Sequence, residues 1–264
     1  MVVTKIYTEP PVCKKEILRY AGCRPVASAK AAITEDQKPE QSQLEELLEE
    51  TLAEVLPKLS YKVCYIEFPL SILGKCCDFG CMKTDSADLA KNLQGCKRGI
   101  LFAATIGVEI DRLIARYTHI SPAKAVILQA IGAERIESLC DVFCADIINL
   151  LGSAPSGEQD RTQESGNTGR NMLRPRFSPG YGDLPLDVQK CIFQVLNCSK
   201  TIGLSLNDSL LMSPSKSVTA FAGIETATAS DLGSNERNNE EKIHHCVKCK
   251  KTDCAYKKIE DEEF

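Results

Sequence analysis

The chain has 264 residues, of which 43% are hydrophobic and 26% charged, and its net charge is −4 at neutral pH. This balance fits a soluble protein of one large or two small domains, and its acidic sign speaks against a protein whose main task is gripping nucleic-acid phosphates. No apolar run approaches the ~20 residues needed to span a bilayer, and Met1–Glu9 lacks the apolar core and small-residue cleavage site of a signal peptide, so a cytoplasmic location is expected.

Ile17, Leu18 and Ala21 lie near helical spacing and Gly22 follows at a C′ position, which predicts a short helix. Residues 26–42 are mixed and polar and read as a loop. Gln43 to Leu56 places Leu44, Leu47, Leu48, Leu52, Val55 and Leu56 on one helical face, and Pro57 ends it. Tyr61 to Phe68 is rich in β-branched and aromatic residues and reads as a strand. Cys76-Cys77-Asp-Phe-Gly-Cys81 reads as a buried turn, since adjacent cysteine side chains diverge in a strand and rarely ligate one ion.

Ser86 is a predicted N-cap for a helix that presents Leu89 and Leu93 and stops at Gly95. Arg98 to Thr105 reads as a buried strand, and Gly107 opens a helix with Ile110, Leu113, Ile114 and Tyr117 on one side. Ser121-Pro122 is a strong helix start. The helix after it runs to Leu151, roughly 45 Å at about 1.5 Å per residue. Residues 153–171 carry almost no large apolar side chain and are expected to form a mobile loop. Structure is expected to resume at Arg174. Asp183 and Pro185 start a further helix, burying Val188, Ile192, Val195 and Leu196, and Lys216 to Ile224 is a strand. Helices and strands mix without regular βαβ alternation, which argues for α+β.

Several chemistries have no sequence support. There is no Gly-x-Gly-x-x-Gly after a strand, no phosphate-cradling Gly-Lys-Ser/Thr loop and no His-Glu-x-x-His. The three histidines are His119, His244 and His245, and no Gly-x-Ser-x-Gly elbow accompanies them. Most of the fourteen cysteines read as small buried hydrophobes in a reducing compartment.

The most unusual stretch is Arg174-Pro-Arg-Phe-Ser-Pro-Gly-Tyr-Gly-Asp-Leu-Pro185, with two arginines, three prolines, two glycines and a tyrosine in twelve residues. Proline fixes φ and glycine allows close backbone approach. A stiff loop presenting a guanidinium and an aromatic ring suits a ligand with a carboxylate and a flat or cationic part; the same composition also serves as a turn-rich link between two elements.

Arg176-Phe-Ser-Pro-Gly-Tyr181 resembles the Arg-x-x-x-Gly-Tyr signature of the activation domain of cobalamin-dependent methionine synthase. Asp183-Leu-Pro-Leu-Asp-Val-Gln189 is similar to the helix start that follows in that family, and Ile202 to Pro214 resembles its Gly-x-x-Leu-x-x-Ser-x-x-Met-x-Pro segment. Phe102-Ala-Ala-Thr-Ile-Gly107 and the long helix are similar to free-standing bacterial members. The resemblance implies an α+β fold of mixed helices around a mainly antiparallel sheet. It also implies a role: binding S-adenosylmethionine and supporting reductive methylation of cob(II)alamin, the cobalamin being held by a partner methionine synthase subunit and the electron coming from a separate donor. By the same resemblance Arg176 holds the ligand carboxylate, Ser178 and Gly180 offer main-chain contacts, and Tyr181 lines the site. Forward methyl transfer is not expected of this chain alone.

The sequence also departs from the family. Arg170 stands about where an acidic residue usually precedes the arginine, and Phe221 follows Ser217-Val218 without a matching tyrosine. The acidic residues Glu134, Glu137 and Asp141 share a helix face that could supply negative charge near a sulfonium or simply face solvent.

The C-terminal His244-His-Cys-Val-Lys-Cys-Lys-Lys-Thr-Asp-Cys254 has Cys-x2-Cys-x4-Cys spacing. Cys246, Cys249 and Cys254 with His245 could form a tetrahedral zinc site, and the thiolates could equally hold an iron–sulfur cluster or remain reduced and unligated. The expected division is one α+β domain over residues 1–224, with the mobile loop at 153–172, and a polar linker and Cys-rich tail over 225–264. The alternative function is reductive activation of another corrinoid methyltransferase protein through a metal-bound tail. Neither reading invokes nucleic acid or membrane.

Overall fold

The computed structural model describes residues 1–23, 38–153 and 171–226. A five-stranded antiparallel sheet runs in the order β1 (Val3–Tyr7), β2 (Tyr61–Pro69), β6 (Arg98–Thr105), β10 (Ser217–Thr226), β7 (Asn171–Leu173). The expected α+β class with a mainly antiparallel sheet is therefore what forms. β6 sits at the centre, and every residue from Gly99 to Thr105 is buried. Both faces of the sheet are covered, which is why that strand reads as a continuous apolar run instead of alternating with polar residues.

Val63, Ile100, Phe102, Ala104, Ala220 and Ile224 face one helical layer. That layer comprises α1 (Lys14–Tyr20), α2 (Lys38–Val55), α4 (Glu109–Ile120) and α5 (Pro122–Ser153). Cys64, Leu101, Ala103 and Phe221 alternate to the other face. There they meet α3 (Ala87–Asn92), α6 (Val188–Leu196), α7 (Cys198–Ile202) and a three-stranded sheet of β3 (Ser71–Leu73), β4 (Cys76–Asp78) and β5 (Lys83–Asp85). A two-stranded ribbon, β8 (Ser205–Leu206) with β9 (Met212–Ser213), completes the fold.

Most predicted elements stand near their expected bounds, but α2 begins at Lys38, five residues before the expected Gln43 and inside the stretch expected as a loop over 26–42, whose residues 26–37 lie outside the described ones. The differences have physical reasons. Cys76 and Cys77 do not sit in a turn; they lie on β4, so their side chains go to opposite faces. Cys77 is buried while Cys81, in the following turn, is exposed. Asp183 does not open its own helix, which begins only at Val188. β7 begins at Asn171, three residues before the expected Arg174, because it can pair with the end of β10. Residues 154–170, which hold most of the expected mobile loop, and 227–264 lie outside the described residues. Among the described residues no helix is long and apolar enough to cross a membrane.

α5 has 32 residues, so it spans about 48 Å at ~1.5 Å per residue. It ties distant segments together by charge. Arg135, fully buried, donates to the carbonyls of Pro10 (2.6 Å) and Pro11 and pairs with buried Glu134 (Nε–Oε2 2.6 Å). Glu134 in turn accepts from the Cys13 amide at 3.0 Å, the turn that starts α1. Asp146 accepts from Tyr7 Oη (2.8 Å) and pairs with Lys5, holding edge strand β1. At the other end of the layer, Glu54 of α2 accepts from Lys124 (2.7 Å) and Tyr117 (2.9 Å).

Two stability predictions follow from these contacts. Arg135→Met strands Glu134 as a buried charge and frees two carbonyls, so urea unfolding should show a loss of about 3–5 kcal/mol; a loss under about 1 kcal/mol would mean the N-terminal segment is held by packing alone. The Glu54 carboxyl is drawn down to about 2, chiefly by hydrogen bonding to Lys124. Its folded-state value lies below the ordinary one, so its contribution is present above pH ~4.5 and fades as pH falls toward about 2. Glu54→Gln should cost about 0.5–1 kcal/mol at pH 7, seen as a Tm lower by roughly 1–4 °C, and the gap should narrow between pH 4.5 and 3. A gap that stays constant across that range would separate the effect from ionisation.

Candidate functional site

The Arg174–Pro185 segment is built onto the central strand. After β7 the chain continues alongside β10. The Arg174 amide donates to the Gly223 carbonyl (2.8 Å), and Phe177 and Phe221 exchange both backbone hydrogen bonds (2.9 and 2.8 Å). Side chains alternate along such an extended stretch. Phe177 therefore packs into the cluster containing Phe79 and Phe221, whose rings stack 4.7 Å apart. Arg176 points the other way, to α5. The Arg174 guanidinium secures the start of the segment through Glu225 (3.1 Å) and the Gln94 carbonyl (3.2 Å).

Beyond Phe177 the backbone reverses twice. The Tyr181 amide donates to the Ser178 carbonyl (3.2 Å), with Pro179 at the second position and Gly180 at φ +88° in the third. That is the residue pattern of a type II turn, which requires positive φ where glycine stands. The Leu184 amide then donates to the Tyr181 carbonyl (3.0 Å) with Gly182 at φ +54°, the second-position glycine of a type II′ turn. The Gly180 amide closes the pair by donating to Leu184 O at 2.9 Å. A Cβ on Gly182 would lie 2.3 Å from Asp88 Oδ2, so this glycine also lets the turn sit directly on α3.

Asp183 fixes that docking. Its carboxylate accepts from the Ser86 hydroxyl and from the amides of Ala87 (2.7 Å) and Asp88 (3.2 Å), while Asp88 accepts from the Asp183 amide (3.2 Å). The expected N-cap role of Ser86 also holds, through Leu89 N at 3.0 Å. The first turn of α3 thus has a second cap, supplied from 95 residues away in sequence. Hydrogen bonding from Ser86 first, and then the Ala87 amide, draws the Asp183 carboxyl below the usual range.

Arg176 is held at the other side of the loop. Its Nη1 lies 2.6 Å from Asp141 Oδ1 and its Nη2 2.8 Å from Glu137 Oε2, with the Cys144 sulfur 3.9 Å from Nη1. Its side chain is only 23% exposed, whereas those of Glu137 and Asp141 are 43% and 51% exposed. Burial opposes the positive charge, and the carboxylates of Asp141 and Glu137 against it favour it, so the guanidinium stays charged. Burial in turn pushes the Cys140 and Cys144 thiols up, so they remain neutral.

The four predicted loop residues therefore occupy distinct settings. Arg176 is largely buried and ion-paired with α5. Ser178 is partly buried, and Gly180 and Tyr181 are exposed at the tip, the tyrosine 61% so. The Ser178 carbonyl and the Gly180 amide are engaged in the turns. Of the acidic face on α5, Glu137 and Asp141 meet Arg176, whereas Glu134 is neither solvated nor near the loop: it is buried against Arg135. Phe221 is core, not site. The sequence reading missed Asp183 as a cap and did not connect Glu137 and Asp141 to Arg176. The i,i+4 spacing of those two acids was the available signal. Arg170, Cys246, Cys249, Cys254 and His245 lie outside the described residues. Among the described residues no group of three or more His, Cys, Asp or Glu side chains is arranged to hold a metal ion.

No curated protein matches the chain. Among solved structures it is similar to one described as the crystal structure of the MetH reactivation domain bound to AdoHcy, with a TM-score of 0.54 and 17% identity over 84% of this chain and 78% of that one. At that identity the likeness establishes the fold. The profile of the family described as vitamin B12 dependent methionine synthase, activation domain, matches residues 88–232, more than half of the sequence and the whole of the Arg176–Tyr181 loop. The chain belongs to the family of vitamin B12-dependent methionine synthase activation domains.

Proposed function

We propose that this protein binds S-adenosylmethionine at the Arg176–Tyr181 turn and serves as a cytoplasmic, free-standing reactivation subunit for a cobalamin-dependent methionine synthase. The observation that carries the reading is the double turn itself. It sets a guanidinium beneath the loop, polar main-chain groups along it and an exposed phenol ring at its tip, the combination an amino-acid nucleoside needs. The solved structure with AdoHcy supports the ligand class. In this reading Arg176 receives the ligand carboxylate, Ser178 and Gly180 contact it through backbone and hydroxyl groups, and Tyr181 covers the adenosine or the sulfonium. The chemistry belongs to the cobalamin on the partner: one electron and the sulfonium methyl convert cob(II)alamin to methylcobalamin, breaking the S–C bond, forming the Co–C bond and leaving the thioether. This chain's own residues bind and orient the methyl donor.

Removing a charged hydrogen-bond partner costs about 1.5–3 kcal/mol. Arg176→Ala should therefore weaken S-adenosylmethionine binding roughly 10- to 150-fold in calorimetry; affinity within twofold of wild type would move the carboxylate contact elsewhere. The function itself is tested by adding this protein, S-adenosylmethionine and a reductant to a synthase inactivated as cob(II)alamin. Recovered turnover supports the reading, and binding without recovery reduces the protein to a binder of the nucleoside.

A second reading rests on the spacing of Cys246, Cys249 and Cys254 with His245, which suits zinc or, with a fourth ligand, an iron–sulfur cluster. In that reading the tail carries the electron to a corrinoid protein. Anaerobically purified protein should then be brown and contain iron that is lost on changing the three cysteines to serine. Zinc-loaded, iron-free protein would exclude electron transfer by the tail, and metal-free protein would exclude a metal site there.

A further inference from the structure

Cys64 lies on β2, and the alternation of that strand sends its side chain to the α6–α7 face of the sheet while Val63 goes to the other. Cys198 is the first residue of α7 and belongs to the same cluster. Both are 0% exposed. Asn197, in the left-handed region at φ +50°, ends α6 and starts α7, and α7 then packs on β2 and β6. This packing brings the two thiols into hydrogen-bond contact with each other. Cys198 is the donor: the contact draws the Cys64 thiol below its usual range despite burial and pushes the Cys198 thiol up. Neither residue has a part in the ligand reading above, and neither is in a disulfide. The pair is therefore an acceptor sulfur and a donor sulfur facing each other in an apolar pocket.

We propose that Cys64 and Cys198 form a reversible disulfide when the protein meets a hydroperoxide, and that the bond latches α7 to β2. The Cys64 sulfur attacks one oxygen of hydrogen peroxide. The O–O bond breaks, the Cys64 proton leaves with the other oxygen as water, and Cys64 becomes a sulfenic acid. The Cys198 sulfur then attacks the Cys64 sulfur. The S–O bond breaks, its hydroxyl takes the Cys198 proton and leaves as a second water, and the S–S bond forms. Two thiols lose two electrons and the O–O bond gains them. Thiols already in contact have little distance to close to the about 2.0 Å of that bond. α7 provides the access: it has five residues, with Asn197, Ser199 and Lys200 exposed, so its local opening admits a small peroxide without global unfolding. The cross-link joins positions far apart in sequence, where closing a long loop removes the most freedom from the unfolded chain. The Cys198 carbonyl also accepts from the Leu204 amide at 3.2 Å, so the latch steadies the entry to the β8–β9 ribbon as well.

The test treats the reduced full-length protein with a small excess of hydrogen peroxide, then combines non-reducing peptide mapping with thermal melts. The Cys64 and Cys198 peptides should come off joined, their summed mass lower by two hydrogens, and the Tm should rise by roughly 4–16 °C. Dithiothreitol should reverse both changes. Cys64→Ala and Cys198→Ala should each lose the joined peptide and the Tm rise; the wild-type map is decisive by itself if either variant fails to fold. Separate peptides, with Cys64 and Cys198 still reduced while the exposed Cys13, Cys81 and Cys191 are oxidised, would overturn the proposal. So would sulfinic acid at either residue without a cross-link, a link from either to a different cysteine, or a Cys64–Cys198 link that leaves the Tm unchanged. None of these outcomes bears on S-adenosylmethionine binding, so the two readings stand or fall separately.

Discussion

A guanidinium cannot be taken out of water without partners, and the placement of Arg176 sets the terms for the loop around it. The segment from Arg174 to Pro185 has no helix or strand of its own, yet it is held at both sides: Arg176 to Glu137 and Asp141 on α5, Asp183 to the first amides of α3. One anchor is an ion pair in a largely buried setting and the other a set of charge-assisted hydrogen bonds to a helix start. They lie on opposite faces of the sheet, and the Phe177–Phe221 backbone pairing lies between them. The loop conformation is thus a consequence of where two charged groups can be satisfied.

α5 is the element that makes this economical. A single helix supplies the partners for the N-terminal segment, for edge strand β1 and for the loop, through Glu134–Arg135, Asp146 and Glu137–Asp141 respectively. Each pairing would be costly in isolation, because desolvating a charge costs several kcal/mol unless its geometry is good. Spreading them along one rigid rod of 32 residues lets packing of the apolar stripe, Leu128, Ile131, Leu139, Phe143 and Ile147, fix the positions of all of them at once. The same arrangement means that a change at the loop anchor is felt by a helix that also touches α1, α2 and α4.

What the sequence discloses and what it conceals divide along contact range. The central strand and α5 are legible because their signals are local: an unbroken apolar run from Gly99 to Thr105, and a Ser-Pro start at Ser121 with a long periodic stripe. β1 escapes notice because Val3–Tyr7 is a short edge strand, exposed or half-buried throughout, in which the adjacent Thr4 and Lys5 break any apolar alternation. The small sheet over 71–85 escapes for the same reason, with strands of three residues each. Asp183 is misread because an Asp two residues before a proline is a good local helix start, and nothing local says that its acceptor oxygens serve a helix 95 residues earlier. The loop as a chemical feature is visible from its composition and from a family signature; the identity of the groups opposite Arg176 is not, since they stand 35 and 39 positions earlier, across a stretch whose sequence has no apolar periodicity.

The signature Arg-x-x-x-Gly-Tyr proves to be three physical requirements in one short string. Arg176 is mostly withdrawn from solvent and bound to acids. Gly180 supplies a backbone angle that an L side chain adopts only with strain, at about 1–2 kcal/mol. Tyr181 stands 61% exposed, and Leu186, whose side chain lies close to a Cβ built on Gly180, is 39% exposed. A stable turn does not need a large aromatic ring at its outermost point, and serine or asparagine would cap it with less exposed apolar surface. The anchoring residues therefore hold the loop, and its tip carries the exposed aromatic ring. Rigidity below and an exposed aromatic above is the arrangement that lowers the ordering cost of binding a flat ligand.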